Sequence, residues 1–270
     1  MLHRLLPLVY RPDRGLDFLK DATHEDLVVM ANLLMNDKGK KRLAEWLSKE
    51  PEFVSNQDDL TKCWQLIAAE FQRFGADSIA SALRGGEGTT YRDMLQAVCS
   101  RLKVKCCPSE AFARVEKRLL AKVFEQAVGK MTSDERSELA ARLRETTKLA
   151  EFNPANAAPG PLLGAIQIAV QMGGFAAYQI NMIIVNHVAK ALLGHGLKLA
   201  TNAALNRGLS IVAGPAGWVV TALMTFQLFT GPAYRVVIPV TLYVATLRMK
   251  LKPKTKTRPA AKKAKSKRNT

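Results

Sequence analysis

Through the first part of the chain apolar residues recur at spacings of three and four, in stretches set off by caps and glycines, the pattern of short amphipathic helices. Thr23 with Asp26 three residues on is a capping-box-like start, and Leu27, Met30, Leu33 and Leu34 follow as an apolar stripe. A second helix is expected from about Asp58, with Leu60, Cys63, Trp64, Ile67, Ala68 and Phe71 on one face and a stop at Gly75. A short one through Ile79 to Leu83 ends at Arg84-Gly85-Gly86. Thr90 opens another that buries Met94, Val98 and Leu102. Ser109, just after Pro108, caps a long helix through Phe112, Val115, Leu119, Val123 and Ala127. Thr132 with Glu135 caps the last, with Leu139 and Leu143 inside. No alternating apolar run demands a strand, so the pattern predicts an all-α chain.

The pattern changes at 153–161, a Pro/Asn/Ala-rich linker full of helix breakers. Beyond it a Gly/Ala-rich apolar helical hairpin region is expected over 162–248, then a basic tail over 249–270; the helical domain before it covers 1–152. Leu162 to Val185 is uncharged and, at ~1.5 Å per residue, about long enough for a ~30 Å hydrocarbon core. Gln167, Gln171, Tyr178 and Asn181 fall on one stripe of it, which suits helix–helix hydrogen bonding in lipid or the wall of a pore. Next, Lys190 and Lys198 share a cationic face opposite an apolar one, the pattern of a helix lying at a membrane interface, and Arg207-Gly208 should end it. Gly208 to Tyr234 is uncharged again, with Trp218 placed as an interfacial aromatic. Val236 to Leu247 is a last apolar run, interrupted by Pro239 and too short to span alone.

Charge sharpens the picture. The chain has 40 Lys+Arg against 23 Asp+Glu, and every acid lies at or before Glu151. Fifteen of the cations come after it, ten of them from Lys250 to Arg268. A tail of Lys, Arg, Pro, Ala, Ser and Thr cannot bury enough surface to fold and is expected to be disordered. Each cation near an anionic bilayer contributes about 1 kcal/mol. Arg248, Lys250 and Lys252 at the head of the tail, with Lys190, Lys198, Arg207 and Trp218, are therefore the expected membrane-contact residues.

Candidate chemistry changes little. Arg84 to Thr90 is Gly-rich but lacks the Gly-Lys-Ser/Thr end of a phosphate loop. Cys99, Cys106 and Cys107 match no zinc spacing, and His187 and His195 are out of register on a helix. No Ser/His/Asp order or Gly-x-Ser-x-Gly elbow occurs. No catalytic, cofactor or metal residues are read, and the chain is expected to be non-enzymatic. The first fifteen residues hold no adequate signal-peptide core, so a cytoplasmic location with reduced thiols is expected.

Three stretches carry a family resemblance: Leu66 to Gly75 running on through Leu83 to Gly86, Tyr91 to Cys99, and Ala189 to Gly194 leading to Leu209–Trp218 and Gly231–Arg235. Together they resemble the YaaW-like family of bacterial proteins, whose middle region is grouped with the ubiquinol–cytochrome c chaperone family. The likeness runs to about Arg248 and departs at the Lys-rich tail. It implies a chaperone-like assembly factor beside a membrane complex and brings no catalytic residues with it.

The expected protein is thus a membrane-associated, non-enzymatic helical protein at the cytoplasmic face of the bacterial inner membrane, peripheral or integral. It would bind an anionic membrane surface and a protein client, and self-association is compatible with it. Two alternatives stand beside this reading: a pore-forming effector lined by Gln167, Gln171 and Asn181, and a soluble bundle whose tail binds nucleic acid. The second is weaker, because no aromatic residue accompanies the basic run.

Overall fold

The computed structural model describes residues 8–37, 40–79, 89–129, 131–147, 158–172, 174–193 and 234–251. These residues are mostly helical, as the apolar spacing predicts. In chain order the α-helices are α1 (His24–Met35), α2 (Pro51–Ser55), α3 (Trp64–Ile79), α4 (Tyr91–Arg101), α5 (Phe112–Val128), α6 (Ser133–Thr147), α7 (Pro159–Met172), α8 (Gly174–Leu193) and α9 (Tyr234–Leu251). A two-residue antiparallel pair, β1 (Asn36–Asp37) and β2 (Lys40–Lys41), follows α1.

Local chemistry explains the helix starts. Thr23 and Thr90 each accept a bond from the backbone N–H three residues on, and Asp26 and Asp93 return it, closing two full capping boxes. The second helix does not begin at Asp58. Asp59 instead caps a 3₁₀ helix, Leu60–Cys63, that leads into α3. Ser109 does not cap α5 either; Ala111 takes that position without a side-chain bond.

Gly75 does not stop α3, which runs on to Ile79. The glycine serves packing: a Cβ there would lie 2.4 Å from Met94 Sδ, so its absence lets α4 approach. The expected short helix over 79–83 lies almost wholly outside the described residues.

The uncharged stretch from Leu162 to Val185 does not form one described helix. It is divided between α7 and α8 on either side of position 173. Among the described residues no helix is long and apolar enough to cross a membrane.

The last helix organises the rest. Val236 to Leu247 is apolar on every side, and such a helix has no face to give to water. Every residue of α9 from Val236 to Arg248 is buried. Its partners are α8 and, from the first part of the chain, α1, α3, α4 and α5. Side chains from both sides of the 153–161 linker therefore join one hydrophobic core, with Leu27, Phe71, Val98 and Leu119 beside Val185, Val240 and Leu242. The linker marks a change of composition, and the core continues across it. Pro239 sits inside α9 at the cost of one backbone bond.

Candidate functional site: a charged clasp at the end of the last helix

The polar groups that matter most lie where α9 ends. Arg248 is 8% exposed, and its Nε donates to Glu116 of α5 at 2.9 Å and 3.0 Å from the two carboxylate oxygens. Its Nη2 donates to the carbonyl of Gly15. The guanidinium lies over three rings, 4.1 Å from the centroid of Phe18, 5.3 Å from Phe112 and 5.5 Å from Tyr91. Planarity and weak hydration make arginine suited to this combination of carboxylate pairing and ring stacking.

Tyr91 closes the circuit. Its hydroxyl donates to Glu116 Oε1 at 2.8 Å, and its backbone N–H donates to Asp13. Asp13 also accepts from the N–H of Gly15 at 2.7 Å, fixing the carbonyl that Arg248 reaches. Burial pushes the Tyr91 phenol well above its ordinary value, and the Glu116 charge adds to the rise against the opposing pull of Arg248. At Gly15 an added Cβ would lie 2.6 Å from Tyr91 Cδ1, so only glycine fits that crossing.

Two residues on, Lys250 Nζ reaches both oxygens of Asp26 at 2.7 Å. Asp26 is the carboxylate that closes the capping box of α1, so it serves the helix start and the lysine at once. Tyr243 donates to the Asp26 carbonyl at 2.9 Å. Tyr178 of α8 lies below Lys250, 5.1 Å from Nζ to the ring centroid. Burial, then the charge of Asp26 and a hydrogen bond to it, raises the Tyr178 phenol. At the other end of α9, Arg235 pairs with Asp37 at 3.2 Å. All three described cations with traced side chains in the acid-free part thus meet an acid of the first part.

Arg248 and Lys250, expected at a membrane surface, make ion pairs within the bundle, with Arg248 buried and Lys250 partly exposed. The α7–α8 polar stripe divides: Gln167 is exposed, whereas Tyr178 and Asn181 are buried. Asn181 Nδ2 donates to Met249 Sδ at 3.3 Å, beside the clasp. Gln171 and Lys190 fall in helices, with side chains outside the described set; Lys198, Arg207, Trp218 and Lys252 lie outside the described residues altogether.

Asp13, Tyr91 and Glu116 were not singled out by the sequence. Glu116 did leave a signal, for it interrupts the apolar face of α5 between Val115 and Leu119. A lone acid on a buried stripe implies a buried cation, without saying which one.

A separate surface cleft of about 540 Å³ lies among Tyr10, Trp64, Asp17, Lys20 and Glu52. The Tyr10 hydroxyl donates to Asp17 at 2.8 Å within it. Among the described residues no group of three or more His, Cys, Asp or Glu side chains is placed to hold a metal ion.

Comparison with known proteins gives relatives along nearly the whole chain. A Helicobacter pylori protein described as a UPF0174 protein is 38% identical over 244 residues, covering 90% of this chain and 94% of that protein. The UPF0174 protein YaaW of Escherichia coli is 35% identical over 244 residues, covering 88% of this chain and 95% of that protein. A second Helicobacter pylori UPF0174 protein is 32% identical over 211 residues, covering 77% and 98%. No family model matches the chain. No solved structure matches it.

Proposed function

The chain belongs to the UPF0174 family, and from its division of charge we propose that it is a non-enzymatic helical protein that works at an anionic membrane surface. The helical bundle is its body, and the sequence beyond α9 is its electrostatic attachment.

One observation carries this reading. Asp37, Glu116 and Asp26 neutralise Arg235, Arg248 and Lys250 within the bundle. The nine Lys and Arg from Lys252 to Arg268 follow with no acid among them. At about 1 kcal/mol for each cation near an anionic bilayer, that stretch supports attachment without any spanning helix. The uncharged sequence 208–234, with Trp218, adds apolar contact. Attachment is then peripheral, at the cytoplasmic face. The resemblance to the ubiquinol–cytochrome c chaperone grouping extends the proposal to an assembly factor that holds a protein client beside the membrane.

Co-sedimentation of the full chain with phosphatidylglycerol-containing and pure phosphatidylcholine vesicles tests it, at low and high salt. Binding to the anionic vesicles alone, weakened by salt and by truncation after Leu251, is expected. A full chain that stays in the supernatant with both vesicle types would refute membrane attachment.

A further inference from the structure

The chain between α4 and α5 returns along α4 and makes a basic face. Helix α4 ends in a Schellman turn: the Val104 N–H donates to the Cys99 carbonyl at 2.8 Å and the Lys103 N–H to the Ser100 carbonyl at 3.2 Å. Lys103 holds the left-handed position of that turn, with a φ of 54°, where glycine is the usual residue. The return is then tied down on both sides. Arg118 of α5 donates to the Lys105 carbonyl at 2.8 Å and to Glu110 at 2.7 Å, and Arg92 of α4 donates to the Glu110 carbonyl at 2.7 Å. From Arg92 to Arg118 the sequence holds seven Lys and Arg against three acids. Asp93 closes the α4 cap and Glu116 is buried with Arg248, which leaves Glu110 among the cations, paired with Arg114 and Arg118. Lys103, Lys105, Arg114 and Lys117 are exposed.

The two ends of α9 bracket this face. At its start, the Arg101 guanidinium lies 4.5 Å from the centroid of the Tyr234 ring, two residues before Lys103. At its end, the Phe112 ring of α5 carries Arg92 at 3.9 Å and Arg248 at 5.3 Å. The uncharged sequence that contains Trp218 therefore joins the bundle at one margin of the face, and the basic tail leaves near the other. We propose that the α4–α5 face is a second membrane contact, which lays the bundle against the anionic bilayer to which the tail attaches it. This contact rests on the proposed attachment and gives it an orientation, which a tail joined to the bundle at one point would not.

The charges on this face are open to a partner. Lys103, Lys105 and Lys117 form no ion pair among the described residues. At Lys103 glycine would relieve the left-handed backbone, and the chain instead holds a cation at the point of the turn. Lysine ammoniums are compact point charges, suited to head-group phosphates spread over a plane. Residues 102–111 hold no aromatic side chain on which a base could stack, so a bilayer fits this surface better than a nucleic acid.

Cys107 gives the test a native reporter, for it is exposed within the return whereas Cys63 and Cys99 are buried. The full chain carrying Cys106→Ser is labelled at Cys107 with an environment-sensitive fluorophore. It is then mixed with phosphatidylglycerol-containing vesicles, with binding followed by co-sedimentation. A blue shift of the label on binding is expected. Lys103→Gly, Lys105→Gln and Lys117→Gln together should weaken binding by about fivefold for each cation removed and shrink the shift. Lys103→Gly alone should weaken binding while leaving the urea midpoint unchanged or higher, so that a loss of fold does not account for the effect. A full chain that co-sediments with its Cys107 label unshifted would overturn the oriented contact and leave tail attachment standing. One that stays in the supernatant refutes attachment itself, and the contact with it. A label that responds to a duplex oligonucleotide and not to vesicles would overturn the contact in favour of a nucleic-acid surface.

Discussion

The Arg248 Nε stands 2.9 Å and 3.0 Å from the two oxygens of Glu116, a pair that spans 132 residues of sequence and is closed off from water. The partners arrive from opposite sides of the linker, Glu116 on α5 and Arg248 on α9. Rings of Phe18, Phe112 and Tyr91 enclose the guanidinium. The pair therefore joins the acid-free part of the chain to the acidic part.

Removing one member should hurt more than removing both. Arg248→Met leaves the Glu116 carboxylate buried without its cation and should lower unfolding free energy by about 3–5 kcal/mol. Adding Glu116→Gln to that variant should recover a substantial part of the loss, because the orphaned charge is gone. Urea unfolding of the two single variants and the double variant measures this; purely additive losses would show that the pair is not coupled.

Gly15 and Gly75 both stand where two segments cross closely, yet they should respond differently to alanine. At Gly15 the new Cβ would meet Tyr91 at Cδ1 and Cβ, 2.6 Å and 2.9 Å away, and neither can move without displacing the ring from Glu116. At Gly75 it would meet Met94 at Sδ and Cγ, atoms of a flexible side chain. Gly15→Ala should cost about 1–3 kcal/mol and Gly75→Ala less, read from shifts in the denaturation midpoint.

Alkaline pH should unfold the protein through its tyrosines. Burial raises Tyr10, Tyr91, Tyr178 and Tyr243 above the ordinary phenol value of 10.0, aided by the charges of Asp17, Glu116 and Asp26. A raised value in the folded state means that the contribution is complete below the ordinary value. It is lost as pH climbs toward the raised one, because the unfolded chain releases those protons first. Phenolate absorbance from the buried Tyr91, Tyr178 and Tyr243 should therefore rise together with loss of helical circular dichroism. A gradual rise that precedes unfolding would contradict their burial.

Acid should loosen the loop that carries Cys106. The hydrogen bond from Arg118, with its charge and that of Arg114, holds the Glu110 carboxyl below its ordinary range. The contribution is present above the ordinary carboxylate value and is lost as pH falls through the depressed one. The melting temperature of Glu110→Gln should lie below that of the unsubstituted protein at neutral pH, with the gap closing in strong acid. A gap independent of pH would show that the Arg118–Glu110 ion pair does not carry the effect.

Much of the fold could be read before the structure. Thr23 with Asp26 and Thr90 with Asp93 cap helices because a cap is settled within four residues of backbone. The faces of α3 and α5 follow the three-and-four spacing for the same reason. The misreadings have tertiary causes. Gly75 looked like a helix stop and is a contact point, since its neighbour Met94 arrives from another helix. Arg248 and Lys250 read as the head of the basic run because they directly precede it in sequence, whereas the acids they meet lie far back along the chain.

By itself the sequence determined the helical character of the chain, two of its helix starts, and the separation of an acidic–basic part from an acid-free one. All of these are properties of composition or of neighbours a few residues apart. Only the tertiary structure decided that α9 would be the buried centre of the bundle, and that Asp26, Asp37 and Glu116 would be its counter-charges. Which acid meets which cation depends on where the folded chain carries them, with 224 residues between Asp26 and Lys250 and 132 between Glu116 and Arg248. At such separations sequence spacing places no constraint on contact, and the packing of an all-round apolar helix sets the partners instead.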